Sequence, residues 1–100
     1  MSEEERTPVL RIEGELTIYR AEELCNALKT ALATEGNLDI DLANVTEIDS
    51  AGVQLLMAAQ KSVQAAKRGM RLIDCSPAVT EVFGILDLHA YFDVSSSTPA

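Results

Sequence analysis

The chain has 100 residues, the length of a single domain built on one core. Its 47% apolar content excludes a disordered chain, and with no Trp and only 4% aromatics the core must rest on Leu, Ile, Val and Ala. Sixteen acidic residues against eight basic ones give a formal charge of −8, which is the wrong sign for nucleic acid and for an anionic membrane surface.

Residues 1–8 are polar and charged and are expected to form a disordered N-terminal tail. Val9-Leu-Arg-Ile-Glu alternates with the two-residue period of a half-buried strand, Gly14 is expected to turn the chain, and Leu16 can add a short pairing segment. Thr17 is a candidate N-cap. Ile18, Ala21, Leu24, Cys25, Leu28 and Leu32 then recur at helical spacing, predicting a helix that ends near Gly36. Leu38-Asp-Ile-Asp-Leu alternates again, so Leu38, Ile40 and Leu42 face inward while Asp39 and Asp41 face out. Two carboxylates on the far side of a central strand predict helices on one face of the sheet only.

A loop over 43–48 leads to a second helix, Ser50 to Arg68, whose expected inner stripe is Gly52, Leu55, Leu56, Ala59, Val63 and Ala66. Lys67-Arg68-Gly69 reads as its stop, with positive charge at the C-terminus and glycine for the left-handed turn. Met70-Arg-Leu-Ile-Asp reads as a strand. Ser76-Pro77 reads as a cap with proline at the first helical position, and Val79, Val82, Phe83 and Leu86 give a third amphipathic helix. Tyr91-Phe-Asp-Val is expected as a last edge strand before a flexible tail over 95–100. The expected fold is α/β, a single mixed β-sheet with helices packed mainly on one face, over residues 9–94.

Enzyme motifs are missing. The chain holds no nucleophile elbow, no P-loop and no dinucleotide-binding glycine pattern. His89 is its one histidine and reads as structural. The pairs Asp39/Asp41 and Glu47/Asp49 could do acid–base work, but alternating carboxylates on a strand read as a solvated face. Cys25 and Cys75 lie far apart with no accompanying ligand cluster, so two buried, reduced thiols are expected rather than a disulfide or a zinc site. No metal or cofactor is expected. The N-terminus resembles neither a signal peptide nor an anchor, no stretch is apolar enough to span a bilayer, and a cytoplasmic location is expected.

The segment Val45-Thr-Glu-Ile-Asp-Ser-Ala-Gly-Val-Gln-Leu-Leu joins a buried strand to the start of the longest helix. Asp49 or Ser50 can cap that helix, while Ala51 and Gly52 keep its first turn bare and the neighbouring hydroxyl accessible. Spacing alone favours an ordinary N-cap with a glycine for close helix–sheet packing. On the helix's expected outward side stand Val53, Met57, Gln60, Lys61 and Gln64. Val53 and Met57 are candidates either for the apolar centre of an interface or for packing under a neighbouring loop.

Asp41-Leu-Ala-Asn-Val-Thr-Glu-Ile-Asp-Ser-Ala-Gly-Val-Gln-Leu-Leu resembles the signature of the STAS family, named for sulfate transporters and anti-sigma-factor antagonists. The likeness runs from Gly14-Glu-Leu-Thr through this segment to Leu72-Ile and Ser76-Pro-Ala-Val. The resemblance implies a non-enzymatic module that binds an anti-sigma factor or kinase-like regulator through Asp49, Ser50, Ala51 and Gly52, with Val53, Met57, Gln60 and Lys61 extending the surface. In antagonists of this kind, phosphorylation of a hydroxyl at the helix start is the switch. The usual acceptor position holds Ala51, which leaves Ser50 as the phosphorylation candidate. The hydroxyl-Ala-Gly pattern is also similar to STAS subunits of phospholipid-trafficking ABC transporters, which implies docking on an ATPase as the alternative.

Overall fold

Strands and helices alternate in the computed structural model, which describes residues 9–33 and 36–95. In chain order they are β1 (Val9–Leu16), α1 (Ala21–Leu32), β2 (Leu38–Ile48), α2 (Ser50–Ala65), β3 (Met70–Ile73), α3 (Pro77–Leu86) and β4 (Asp93–Ser95). The strands lie in the sheet in the order β1-β2-β3-β4. A mixed sheet was expected, but all three ladders among the described residues are parallel. Parallel neighbours in sequence order each need a helical crossover, and crossovers of one hand put all three helices on the same face. The expected tails at 1–8 and 96–100 lie outside the described residues, while Ser95 closes β4.

Leu38, Ile40 and Leu42 of β2 are buried on the helix side with Leu16, Leu56, Leu72 and Phe83 in one continuous core. The opposite face is polar and ion-paired. Arg71 grips Asp39 with two bonds of 3.1 and 2.8 Å, and Arg11 reaches Asp41 at 3.3 Å. These carboxylates are therefore not a plain solvated face, since Asp39 is buried under its arginine. Such surface pairs contribute about 0–1 kcal/mol each, so burial of the other face dominates the sheet's stability.

The expected loop over 43–48 is strand. Register shifts in the β1–β2 ladder, between Arg11 and Glu13 and between Gly14 and Glu15, keep β2 paired until Leu16 meets Ile48. Gly14 does not turn the chain. It sits at φ +82 within β1, where a bulge needs a residue free of Cβ strain. Thr17 does not cap α1; it precedes a 3₁₀ turn, Ile18–Arg20, and makes no side-chain cap bond.

The end of α2 also differs from expectation. The left-handed residue is Lys67 at φ +60, not Gly69. Arg68 ties this end to α1 by donating from Nε to the Gly36 carbonyl at 2.7 Å and from Nη1 to the Leu32 carbonyl at 3.0 Å. Gly69 instead serves close approach, its N–H donating to Asn37 Oδ1 at 2.8 Å. The cap of α3 is as read from sequence, with the Ser76 hydroxyl accepting from the Val79 N–H at 3.3 Å and Pro77 in the first turn.

Cys25 and Cys75 are free thiols, each half-buried. Burial first, and then the charge of Asp74, push the Cys75 thiol up to about 11. The thiolate is the reactive form, so at pH 8 Cys75 is expected to alkylate on the order of a hundredfold more slowly than in the unfolded chain. Timed iodoacetamide labelling with mass spectrometry, with and without guanidinium, checks this.

Candidate functional site

The start of α2 is organised by one carboxylate. Asp49 stands in extended conformation ahead of the helix, and its Oδ1 accepts the Gly52 N–H at 3.0 Å. Its Oδ2 accepts the Ile18 N–H at 3.0 Å, and its own N–H donates to the Leu16 carbonyl at 3.3 Å. A single side chain thus caps α2 and fastens the 3₁₀ turn beside it. From the other side, Arg20 Nη1 donates to the Glu13 and Glu15 carbonyls at 2.5 and 2.7 Å, and its guanidinium pairs with Glu23. The turn is pinned at both ends. What it displays is apolar, with Ile18 59% exposed and Tyr19 89% exposed.

Ser50 is exposed at the tip and Ala51 half-buried behind it. Gly52 is buried because β1 ends against it. A Cβ there would collide with the Leu16 carbonyl oxygen and lie 2.9 Å from Leu16 Cγ. The bare first turn read from the sequence is therefore a packing requirement at Gly52.

The backbone N–H of Ile18, and then that of Gly52, hold the Asp49 carboxyl below the usual carboxylate range. A depressed folded-state value contributes stability that is present above the unfolded value near 3.9 and lost as pH falls through the folded one. Acid unfolding below about pH 4 is therefore expected to be steeper in the wild type than in Asp49→Asn, which has no charge to neutralise. Parallel acid titrations followed by circular dichroism check this.

The sequence-predicted residues do not all gather here. Asp49, Ser50, Ala51 and Gly52 do. Val53 was expected on the outward side, but it is 4% exposed and belongs to the core. Gln60 is also buried, and Met57 is half-buried and packed against the core. The buried stripe of α2 runs Gly52, Val53, Leu56, Ala59, Gln60 and Val63, so the helix is rotated by about one residue from the expected stripe and Ala66 is exposed. Lys61 is exposed but lies about 16 Å along the helix from Ser50 at 1.5 Å per residue, too far to share its patch.

Sequence reasoning missed Ile18, Tyr19 and Glu81, and it weighed Glu47 beside Asp49 only for acid–base work. Ile18 had been assigned to the inner stripe of α1 on spacing. The i, i+3 spacing from Ile18 to Ala21 is unbroken, so no local signal separated the two. Between the 3₁₀ turn, the end of β2 and α3 lies an open groove of about 440 Å³, in which Tyr19, Glu47 and Glu81 meet Asp49. His89 lies outside it, edge-on to the Phe83 ring at 5.9 Å. Among the described residues no group of three or more His, Cys, Asp or Glu could hold a metal ion, and no helix is long and apolar enough to cross a membrane.

A protein-family model described as "Mlab, STAS domain" matches residues 1–94. Comparison with curated protein sequences finds no match. Among solved structures, the unphosphorylated anti-sigma factor antagonist SpoIIAA is similar, with TM-score 0.73 and 24% identity over 90% of this chain and 78% of that one. A putative anti-sigma factor antagonist from Thermotoga maritima has TM-score 0.73 and 18% identity, over 87% of this chain and 76% of that one. The STAS domain of a SulP transporter from Vibrio cholerae has TM-score 0.62 and 21% identity, over 89% of this chain and 72% of that one. At these identities the likeness is one of fold.

Proposed function

The chain belongs to the STAS domain family, and from that premise we propose that it is a non-enzymatic, cytoplasmic binding module that docks a regulatory protein on the tip of α2. The partner class is the anti-sigma factor or kinase-like regulator that anti-sigma factor antagonists engage. The observation that carries this reading is the pinned tip itself. Asp49 locks the Ile18–Tyr19 turn to the first turn of α2, so that the exposed Tyr19 ring is held beside the helix whose tip carries the exposed Ser50. Preorganised apolar side chains at a surface lower the ordering cost of binding.

Ser50 is the switch. A phosphate there sits at the positive end of the helix dipole, so the fold tolerates it. On the contact surface it adds bulk and close to two negative charges, and the partner is released. The test measures affinity for the co-purified native partner. Ser50→Trp, which adds bulk at the tip, is expected to weaken binding by at least about tenfold with an unchanged urea midpoint. Wild-type affinity in this variant would end this reading. Incubation with candidate kinases and ATP, followed by phosphate mapping, tests the switch on its own.

Two observations favour a second reading, an accessory subunit docked on the ATPase of a phospholipid-trafficking ABC transporter. The matching family model is the one described as Mlab, and Ala51 stands where a second hydroxyl would serve as phosphate acceptor. Co-purification of the untagged chain separates the two: a soluble regulator supports the first, an ATPase with its permease the second.

A further inference from the structure

We propose that the groove beside the tip of α2 receives a segment of the partner protein that presents a lysine or arginine next to an apolar side chain. This rests on the docking function proposed above and specifies the partner's chemistry. Three observations on different residues carry it.

The first is charge. Glu15, Glu47, Asp49 and Glu81 line the groove, and no lysine or arginine does. They come from β1, β2, the α2 cap and α3, so the fold gathers into one wall carboxylates that are scattered along the sequence. The nearby cation, Arg20, is directed at the Glu13 and Glu15 carbonyls and at Glu23. The second is the apolar ledge. Tyr19 rims the groove and Ile18 stands beside it, while Ile48 and Val82 line its floor. An exposed ring held by a turn fastened at both ends is suited to anchor a partner's aliphatic side chain. The third is an unsatisfied hydroxyl. Thr17 also lines the groove and is only 6% exposed, and its Oγ1 has no hydrogen-bond partner among the described residues. A buried hydroxyl without a partner is costly; Oγ1 is sealed from solvent as it stands, so an ammonium or guanidinium donor satisfies it once Thr17 turns toward the groove.

Together these select a cationic segment with an apolar neighbour. They disfavour an acidic segment, which the four carboxylates would repel. They also recast the switch. A phosphate on Ser50 faces a basic partner and attracts it at long range, so release follows from the bulk it adds at the contact.

The test titrates the isotope-labelled full chain with a 12-residue leucine–lysine peptide and with its leucine–glutamate counterpart, followed by amide shifts. The lysine peptide is expected to move Ile18, Tyr19, Glu47 and Glu81, and the glutamate peptide to move none of them. Affinity for the lysine peptide is expected to fall about tenfold in Tyr19→Ala, about tenfold in Glu47→Lys/Glu81→Lys, and several-fold between 50 and 500 mM salt. These side chains are exposed, and an unchanged urea midpoint certifies the variants. Equal binding of the two peptides, shifts centred elsewhere, or indifference to both variants would overturn the proposal. So would self-association of the chain abolished by the same substitutions, which would assign the groove to a second copy.

The native complex separates this proposal from the docking function. Loss of the partner in Ser50→Trp but not in Glu47→Lys/Glu81→Lys overturns the groove and leaves the tip. Loss in the charge-reversed variant but not in Ser50→Trp supports the groove and removes the tip.

Discussion

Gly52→Ala is expected to destabilise the protein by about 3 kcal/mol or more, a large part of the 5–15 kcal/mol that holds a typical domain folded. The reason is backbone against backbone. The added Cβ meets the Leu16 carbonyl oxygen and lies 3.0 Å from the Leu16 carbonyl carbon. Neither can swing aside, because β1 is held in its ladder up to Leu16 and the Leu16 carbonyl accepts the Asp49 N–H. Gly36→Ala makes the useful contrast. Gly36 stands at φ +91 with nothing within 4 Å of a new Cβ, so only the left-handed strain of about 1–2 kcal/mol applies. Urea unfolding of both variants checks the ranking. Because Gly52→Ala separates β1 from α2, it is also expected to loosen the Ile18–Tyr19 turn that Asp49 holds.

Phe83→Ala is expected to cost about 3–5 kcal/mol, the range for emptying a buried aromatic site. Phe83 is fully buried and its ring stacks on Phe92 at 5.2 Å, with planes 15° apart. Phe92 immediately precedes β4, a three-residue edge strand that pairs with β3 and packs Val94 against the core. Removing the Phe83 ring therefore opens a cavity and also releases the support of that edge. Amide exchange is expected to show β4 losing protection before β2. Phe83→Leu refills most of the volume and should cost under about 1.5 kcal/mol, with β4 protection largely kept. Similar exchange in the two variants would mean that β4 does not depend on the volume packed against Phe92 at this site.

The parts of this fold legible in the sequence were those written in short-range pattern. The Leu38–Leu42 alternation gave β2 its inner face, Ser76-Pro77 gave α3 its start, and the Asp49–Gly52 run marked the head of α2. Several of the failures share one physical cause, which is pairing across the chain. β2 extends through Ala43–Ile48 because bulges in β1 keep it in register, and no local period records that. Gly14 and Thr17 looked like punctuation, yet one sits within a strand and the other ahead of a turn fixed by Asp49 from 31 residues away. Val53 and Gln60 fell on the wrong side because the α2 stripe is nearly continuous in apolar and small residues, so a rotation of one position was not resolved. The candidate site was half visible for the same reason. Ser50 and Asp49 are adjacent in sequence, whereas Tyr19 and Glu81 join Asp49 only through the fold.

The central claim is that the pinned tip of α2 is where a partner protein sits. Photo-crosslinking in the source cell tests it most directly, with a benzophenone side chain placed at Ser50 in one variant and at Lys29, exposed on α1, in another. The expected result is a covalent adduct to one protein from position 50 and none from position 29. Adducts from position 29 with none from position 50 would contradict the account.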